Sequence, residues 1–283
     1  MPYFGAHMSI TGGLEKAVER IMRVDGTALQ IFSKNQRQWK SKPLEQKQID
    51  AFIAACGEWG NYPVAVHDSY LINIGSPKKE GVEKSVAALA DELERAEQLA
   101  IPYLVMHPGA HLGSGTEEAL ERVASNLDAA LKESRTERVM VLLENTAGQG
   151  TTLGRSFSEL AAIIHQSHNA DRIGVCIDTC HAYAAGYDLA AEEGYEATFD
   201  EFERVVGMDN LKFMHVNDSK GALGSHLDRH DHIGAGLLGE KTFARLVNDP
   251  RFIDLPMVLE TPKGEDLAED KKNINMLRGL IVS

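Results

Sequence analysis

Six short apolar runs in this chain each end on, or within a few residues of, a histidine or a carboxylate. A buried strand that ends on such a side chain delivers it to one end of a sheet. Six strands of this kind would converge on a single pocket. The runs lie at residues 63–67, 103–107, 139–144, 173–181, 211–215 and 257–260.

The spacing of these runs predicts an alternation of strands and helices. Runs rich in Val, Ile and Leu without polar alternation are typical of strands buried on both faces, and each is followed by a segment of helical period. The predicted strands cover residues 3–7, 28–33, 63–67, 103–107, 139–144, 173–178, 211–217 and 257–260. The predicted helices cover residues 12–24, 44–59, 79–100, 116–133, 156–168, 199–206, 240–247 and 266–281.

Eight strand–helix repeats in 283 residues predict an α/β fold of the (β/α)8 TIM-barrel class, with a single domain over residues 1–283. In such a barrel the reactive residues lie at the C-terminal ends of the strands, where the metal-type side chains of this chain fall. A doubly wound open sheet is the alternative, but it gathers its site around one switch point. Contributions from six strand ends favour the closed barrel.

Composition bears on where the protein acts. The chain is 43% hydrophobic and has no apolar stretch near the ~20 residues that a membrane span requires. It opens on MPYFGAHMS, which lacks the basic and apolar segments of a secretion signal. Cys56, Cys176 and Cys180 form an odd set, which indicates reduced thiols. We therefore expect a cytoplasmic monomer without a membrane partner, and we expect Cys176 and Cys180 to pack rather than to bind metal.

The candidate ligands are five histidines and four carboxylates. Such a set indicates zinc, or manganese or iron, rather than calcium or magnesium. A catalytic zinc keeps about three protein ligands, so nine side chains fit two or three ions, and sharing a carboxylate brings the number close to three. Multi-metal sites are typical of phosphoester hydrolysis. His7, at the end of the first strand, is expected to orient a ligand. The nine candidates are His67, His107, Glu144, Asp178, His181, His215, Asp228, His230 and Glu260.

Several segments carry a family resemblance. HDSYLINIG at residues 67–75, GVCIDTCH at 174–181 and HVNDSKGALG at 215–224 resemble the three signature segments of endonuclease IV, the second family of apurinic/apyrimidinic endonucleases. The resemblance covers essentially the whole chain, in order, with no departure at the nine ligand positions. Shorter matches are GAHMS at 5–9, KNQRQW at 34–39, HPGAH at 107–111, LLENTAGQG at 142–150, DRHDHIGAG at 228–236 and LETP at 259–262.

The resemblance implies a DNA-repair barrel with three zinc ions. Such an enzyme cuts the phosphodiester on the 5′ side of an abasic site in duplex DNA, leaves a 3′-hydroxyl and trims blocked 3′ ends. Glu144, and after it Glu260, are the candidates for positioning or deprotonating the attacking water. The implied ligand sets are His67, His107 and Glu144 for the first ion; Glu144, Asp178, His215 and Glu260 for the second; and His181, Asp228 and His230 for the third.

The resemblance also implies DNA contacts. It assigns Arg37, Tyr70 and Leu71 to filling the gap when the abasic nucleotide leaves the stack, although Tyr70 and Leu71 would alternatively only pack their loop. A net charge of −13 opposes DNA binding. The segment 33–42 contains no acid, so we expect a basic face on an acidic body. Its cations are Lys34, Arg37, Lys40 and Lys42.

Two other functions remain open. A sugar isomerase of similar barrel architecture would also use metals at strand ends, but such sites favour carboxylates and a catalytic lysine, whereas five of these nine ligands are imidazoles. A protein that binds damaged DNA without cutting it would have lost a water-positioning carboxylate, whereas Glu144 and Glu260 are both present. Abasic, undamaged and 3′-blocked duplexes, with and without a chelator, distinguish the three functions.

Overall fold

The computed structural model describes residues 2–282 and contains a closed barrel of eight parallel strands. Each strand pairs with its neighbours in the chain, and the last strand pairs with the first. The predicted barrel is therefore confirmed, and the open-sheet alternative is wrong. The strands are β1 (Tyr3–Met8), β2 (Ala28–Phe32), β3 (Val64–His67), β4 (Tyr103–Met106), β5 (Met140–Glu144), β6 (Ile173–Asp178), β7 (Leu211–His215) and β8 (Pro256–Leu259).

Helices follow the strands along the chain. Their order is α1 (Leu14–Arg23), α2 (Gln46–Trp59), α3 (Lys79–Gln98), α4 (Thr116–Ser134), α5 (Phe157–Gln166), α6 (Thr179–Ala185), α7 (Glu192–Val205), α8 (Gly239–Asn248) and α9 (Ala268–Gly279). None of the helices in residues 2–282 is long and apolar enough to cross a membrane.

Three elements differ from the sequence prediction. Helix α6 was not predicted, because its seven residues are too few for a helical period and it begins directly after a strand. Helix α7 begins at Glu192, seven positions before the predicted start at 199. The predicted seventh strand, at 211–217, ends earlier, at His215. Residues beyond it form a short antiparallel ribbon, in which Asp218–Ser219 pairs with His230–Asp231.

Apolar side chains fill the lower part of the barrel. The layer is completely buried, and Phe213 is its largest member. Only glycine fits at position 5 beside this layer, since a Cβ there would lie 1.7 Å from the carbonyl oxygen of Ala28. The barrel interior is therefore a packed core, and a site can form only at its open ends. The layer consists of Ala28, Ala65, Val105, Leu142, Cys176, Phe213 and Val258.

Candidate metal centre

Six of the nine predicted ligands lie two positions after a side chain of this apolar layer. Alternate residues of a strand share one face, so the strand that points Leu142 into the barrel also points Glu144 inward, one layer higher. The polar layer at the C-terminal end is therefore a direct continuation of the core. Its members from the predicted set are His67, His107, Glu144, Asp178, His215 and Glu260.

The other three predicted ligands come from segments beyond the strands. His181 lies in the first turn of α6, where its backbone N–H donates to Oδ1 of Asp178 at 2.8 Å. This N-cap joins β6 directly to the helix and holds both side chains at the barrel mouth. His230 lies in the ribbon opposite Ser219, and Asp228 precedes it by two residues.

The first donor set is formed by His67, His107 and Glu144. The Nε2 atoms of His67 and His107 lie 3.2 and 3.1 Å from Oε2 of Glu144. The ligand atoms of the three residues all lie within 4.8 Å of one another, a span suited to one metal ion.

The second donor set uses the other oxygen of the same carboxylate. Nδ1 of His215 lies 3.0 Å from Oε1 of Glu144, 3.4 Å from Oε2 of Glu260 and 3.8 Å from Oδ2 of Asp178. These four residues also form a group within 4.8 Å. Because Glu144 presents one oxygen to each set, its position suits a carboxylate that bridges two ions.

The third set is centred on Asp228. Its carboxylate oxygens lie 3.3 Å from Nε2 of His181 and 3.2 Å from Nε2 of His230. Two further groupings within 4.8 Å overlap this set, and each adds a residue: Asp178 with His181 and His230, and Cys180 with Asp228 and His230. The structure thus brings all nine predicted residues together and places Cys180 beside them.

The sequence predicts a packing role for Cys180, and the structure places its sulfur near the third set. The available signal was its position next to His181, but small buried thiols are most often packing residues. The sulfur lies among ligand atoms because the fold brings the segment from Asp228 to His230 close to Cys180.

Unpartnered nitrogen atoms show that the centre fits a cation. Nε2 of His181 and Nε2 of His230 are buried and have no hydrogen-bond partner in the described chain. Buried polar atoms are normally satisfied, so lone pairs that converge near Asp228 indicate a missing electron-pair acceptor. A divalent metal fills that role, and imidazole with carboxylate is a suitable donor set for zinc.

Opposite charges in the centre shift one another's pKa values. Burial raises the pKa of Glu144, but His215, His107 and hydrogen bonds from the imidazoles outweigh burial and hold it well below its ordinary value. Burial lowers the pKa of His215, yet Cys176, Glu260 and Glu144 raise it well above its ordinary value. Without metal, a proton on His215 thus offsets the carboxylates beside it, and a bound cation would take over that role.

His7 and Gln30 both contact the Glu260 carboxylate and orient it. Nδ1 of His7 lies 3.3 Å from Oε1 of Glu260, and the Gln30 amide donates to the same oxygen at 2.7 Å. Oε1 of Gln30 lies 2.8 Å from Nε2 of His215. His7 thus lies where the sequence predicted an orienting group. Gln30 was missed, although a single amide within the apolar strand ALQIF was a usable signal.

Two buried asparagines orient the other carboxylates. Nδ2 of Asn217 donates to Oδ2 of Asp178 at 2.6 Å, and Oδ1 of Asn217 accepts from the backbone N–H of Glu260 at 2.7 Å. Oδ1 of Asn145 accepts from the backbone N–H of Asp178 at 2.7 Å. These hydrogen bonds fix the ligands before any ion binds, as supporting hydrogen bonds do in metal sites.

The predicted DNA-contact residues lie on adjoining loops at the rim. Tyr70 is 68% exposed and Leu71 is 36% exposed. The Tyr70 ring lies 5.9 Å from the ring of His67. Arg37 is exposed on the preceding loop, and Ser69 joins the two loops by donating to the backbone oxygen of Gln36 at 2.6 Å.

The expectation that Lys34 belongs to a basic face is wrong. Its side chain is 1% exposed, and its Nζ pairs with Asp91 and lies 3.5 Å from Oε1 of Glu92 on α3. Lys34 is therefore a buried anchor of the loop, because two carboxylates draw it inward. Arg37 and Lys40 remain exposed.

Comparisons with known proteins agree with this geometry. Residues 18–280 match the family model described as a xylose isomerase-like TIM barrel. The "Probable endonuclease 4" of Chloroflexus aurantiacus is 53% identical over 281 residues, which cover 99% of each chain. The crystal structure of endonuclease IV from Thermus thermophilus has a TM-score of 0.89 and 40% identity, covering 99% of this chain and 98% of that one. A D-tagatose 3-epimerase-like protein, at a TM-score of 0.72, 18% identity, and coverage of 98% and 97%, shares the fold alone.

Proposed function

The chain belongs to the endonuclease IV family, and from this membership we propose that it is a metal-dependent DNA-repair enzyme that hydrolyses the phosphodiester on the 5′ side of an abasic site. The product is a 3′-hydroxyl, and the same site trims blocked 3′ ends. The observation that carries the proposal is the convergence of three donor sets at one barrel mouth, two of them sharing Glu144.

Three zinc ions are the proposed cofactors, and manganese or iron would use the same donors. Each of the three donor sets described above is proposed to hold one ion: the first contains His67, the second His215 and the third Asp228. When bound, the ions would make water a nucleophile at neutral pH and offset charge on the scissile phosphate and the leaving oxygen.

Glu144 and Glu260 have different surroundings, which support different roles. Imidazoles of four histidines, including His67 and His215, lie 3.0 to 3.2 Å from the two Glu144 oxygens, which leaves this buried carboxylate little room for water. The Glu260 side chain is 17% exposed, and its Oε1 is held by Gln30. We therefore assign bridging to Glu144 and orientation of the attacking water to Glu260, whose Oε2 faces the second set.

Duplex DNA containing an abasic site is the proposed partner. Three divalent ions would outweigh the four ligand carboxylates, so the loaded pocket attracts phosphate even though the body of the protein is acidic. Arg37, Tyr70 and Leu71 would occupy the gap left in the stack when the abasic nucleotide turns into the pocket. Their adjoining loops and the exposure of Tyr70 support this role.

We propose that the enzyme has a single domain and acts in the cytoplasm. One closed barrel extends from β1 to β8, which supports a single domain over residues 1–283, and we propose that it acts as a monomer. The three cysteines are free in the described chain, which supports a reducing compartment such as the cytoplasm.

The test uses a 5′-labelled duplex with one central abasic analogue. We expect one incision on its 5′ side, no cutting of the undamaged duplex, loss of activity with a chelator and recovery with Zn²⁺. Glu260→Gln should lower the turnover number at least about a hundredfold, as expected for a group that acts in proton transfer. Glu193→Gln, on the exposed surface of α7, is the control. Tight binding of the abasic duplex without incision, or turnover of a free ketose instead, would overturn the proposal.

The role of Tyr70 has its own test. Tyr70→Ala should reduce incision of duplex more than incision of single-stranded abasic DNA, because only the duplex presents a stack to be held open. Equal losses on both substrates would remove Tyr70 from that role.

A further inference from the structure

Two polar side chains lie on the buried face of the last helix, α9. Asp270 is completely buried and Asn273 is 2% exposed, and the two lie about one helical turn apart. The buried side chains that follow them, Ile274 and Leu277, are apolar core residues. Buried polar groups are costly unless they have polar partners, so the partners of Asp270 and Asn273 show what the first turns of α9 hold in place.

The side-chain amide of Asn273 joins two other segments of the chain. Its Nδ2 donates to Oγ1 of Thr261 and to Nδ1 of His232, each at 3.1 Å. Its Oδ1 accepts from the backbone N–H of Ile233 at 3.3 Å. The amide therefore uses both its donor and its acceptor groups, and an apolar side chain in its place would leave buried partners unsatisfied.

These two segments carry predicted ligands of different donor sets. Thr261 directly follows Glu260 of the second set, and the other segment begins two positions after His230 of the third. The two ligands also contact each other, because Nδ1 of His230 donates to the backbone oxygen of Glu260 at 3.1 Å. That hydrogen bond orients the His230 ring and leaves the lone pair on Nε2, which faces Asp228. The relative position of the two segments therefore sets how His230 presents Nε2 to the third set.

A separate contact attaches the loop after β8 to the same helix. Nζ of Lys263 lies 2.8 Å from Oδ2 of Asp270 and donates to the backbone oxygen of His7 at 2.8 Å. His7 in turn contacts the Glu260 carboxylate. A buried carboxylate such as Asp270 requires a partner of opposite charge, so this contact is a fixed attachment. Helix α9 therefore holds the loop at two points, Thr261 and Lys263.

We propose that Asn273 is a positioning residue of the metal centre, which holds the segments of Glu260 and His230 in the relative position that the second and third donor sets require. The inference rests on the proposed function, since these sets are its proposed metal sites. The histidines of the first set, His67 and His107, end or follow β3 and β4, and neither of these strands pairs with β8. Loss of the Asn273 amide should therefore affect two ions and leave the third in place.

The test measures release of Zn²⁺ from the loaded, full-length protein to a chromogenic chelator. From Asn273→Ala we expect about two equivalents to leave at least about tenfold faster than from wild type, and the remaining equivalent to keep its rate. Asn275→Ala, at an exposed position of the same helix, is the matched control and should release its ions at wild-type rates. Thr261→Val removes only the hydroxyl partner of the amide. It should accelerate release of the same ions, and it keeps the test decisive if Asn273→Ala does not fold.

A purely structural role of Asn273 predicts a different result. If the amide only stabilised α9, Asn273→Ala would unfold at a lower urea concentration but would release its ions at wild-type rates while still folded. Kinetics on the abasic duplex separate the two roles further. The turnover number should fall while KM stays within about twofold, because the predicted DNA-contact residues Arg37 and Tyr70 lie on other loops.

The inference is overturned if Asn273→Ala, or Thr261→Val in its place, releases no ion faster or accelerates all ions alike. It is also overturned if Asn275→Ala has the same effect, or if KM rises while the turnover number is unchanged. Wild type that holds no metal would overturn both the inference and the proposed function. The release assay contains no DNA, so the expected release pattern without incision of the abasic duplex would refute the proposed function alone.

Discussion

Replacing Lys34 by methionine tests whether the buried ion pair holds the loop that carries Arg37. The Lys34 and Glu92 side chains are 1% and 2% exposed, so the substitution keeps most of the volume and leaves Glu92 buried without its cation. Removing one partner of a buried pair costs about 3–5 kcal/mol. We expect about 3 kcal/mol, at the lower end, because the Ser33 hydroxyl still donates to Glu92.

The cost should depend on pH. Burial raises the pKa of Glu92 even though Lys34 and Ser33 lower it, and loss of Lys34 removes an opposing influence. A carboxyl whose folded pKa lies above its unfolded value of ~4.3 destabilises the native state at high pH. That penalty disappears as the pH falls through the folded pKa. The difference between Lys34→Met and wild type should therefore be larger at pH 8 than at pH 5.

The assay is urea denaturation of metal-loaded protein at both pH values. Lys40→Met, an exposed cation on the same loop, is the matched control and should change the free energy of unfolding by less than about 0.5 kcal/mol. The double variant Lys34→Met, Glu92→Met removes both charges and should be more stable than Lys34→Met alone. The reasoning is refuted if Lys34→Met costs less than about 1 kcal/mol, or if the double variant is no better than the single one.

Three further outcomes follow from other parts of the molecule. Glu144→Gln should lower the metal content by about two equivalents, since two donor sets share this carboxylate, and retention of all metal in elemental analysis would contradict its bridging position. Phe213→Ala should cost about 3–5 kcal/mol in urea denaturation, because it empties part of the buried barrel interior; a cost below about 1 kcal/mol would mean that the barrel collapses around the gap. Burial raises the pKa of Asp249, but hydrogen bonds from Arg251 outweigh burial and lower it, so its stabilisation exists at neutral pH and is lost as the pH falls through that lowered value. The stability gap between wild type and Asp249→Asn should therefore close in acid, and thermal melts that show it widening would contradict this sign.

Much of the fold was predictable because its signals are local. Apolar runs identified all eight barrel strands, and the alternation that places Leu142 in the core also placed Glu144 above it. Helix α6 was not predictable from periodicity, since it is short and its start depends on Asp178 serving at once as strand end and N-cap. The early start of α7 at Glu192 was hidden because its first turn is acidic and exposed.

Some residues of the candidate site were likewise predictable from local sequence, and others were not. Residue type and position after a strand identified the nine donors, and an amide within an apolar strand could have identified Gln30. Charge along the chain could not reveal that Lys34 is buried, because its partners Asp91 and Glu92 lie about sixty positions away on α3. Nor could local sequence place Cys180 beside Asp228.

The chain's own order of residues determined the barrel, its open end and the kind of donor gathered there, because strand alternation and side-chain chemistry act over a few positions. Only the tertiary structure decided which oxygen of Glu144 faces which donor set, which lysine is withdrawn from the surface and which sulfur approaches a metal-type pocket. These depend on distances of a few ångströms between segments far apart in the chain, and barrel closure sets those distances.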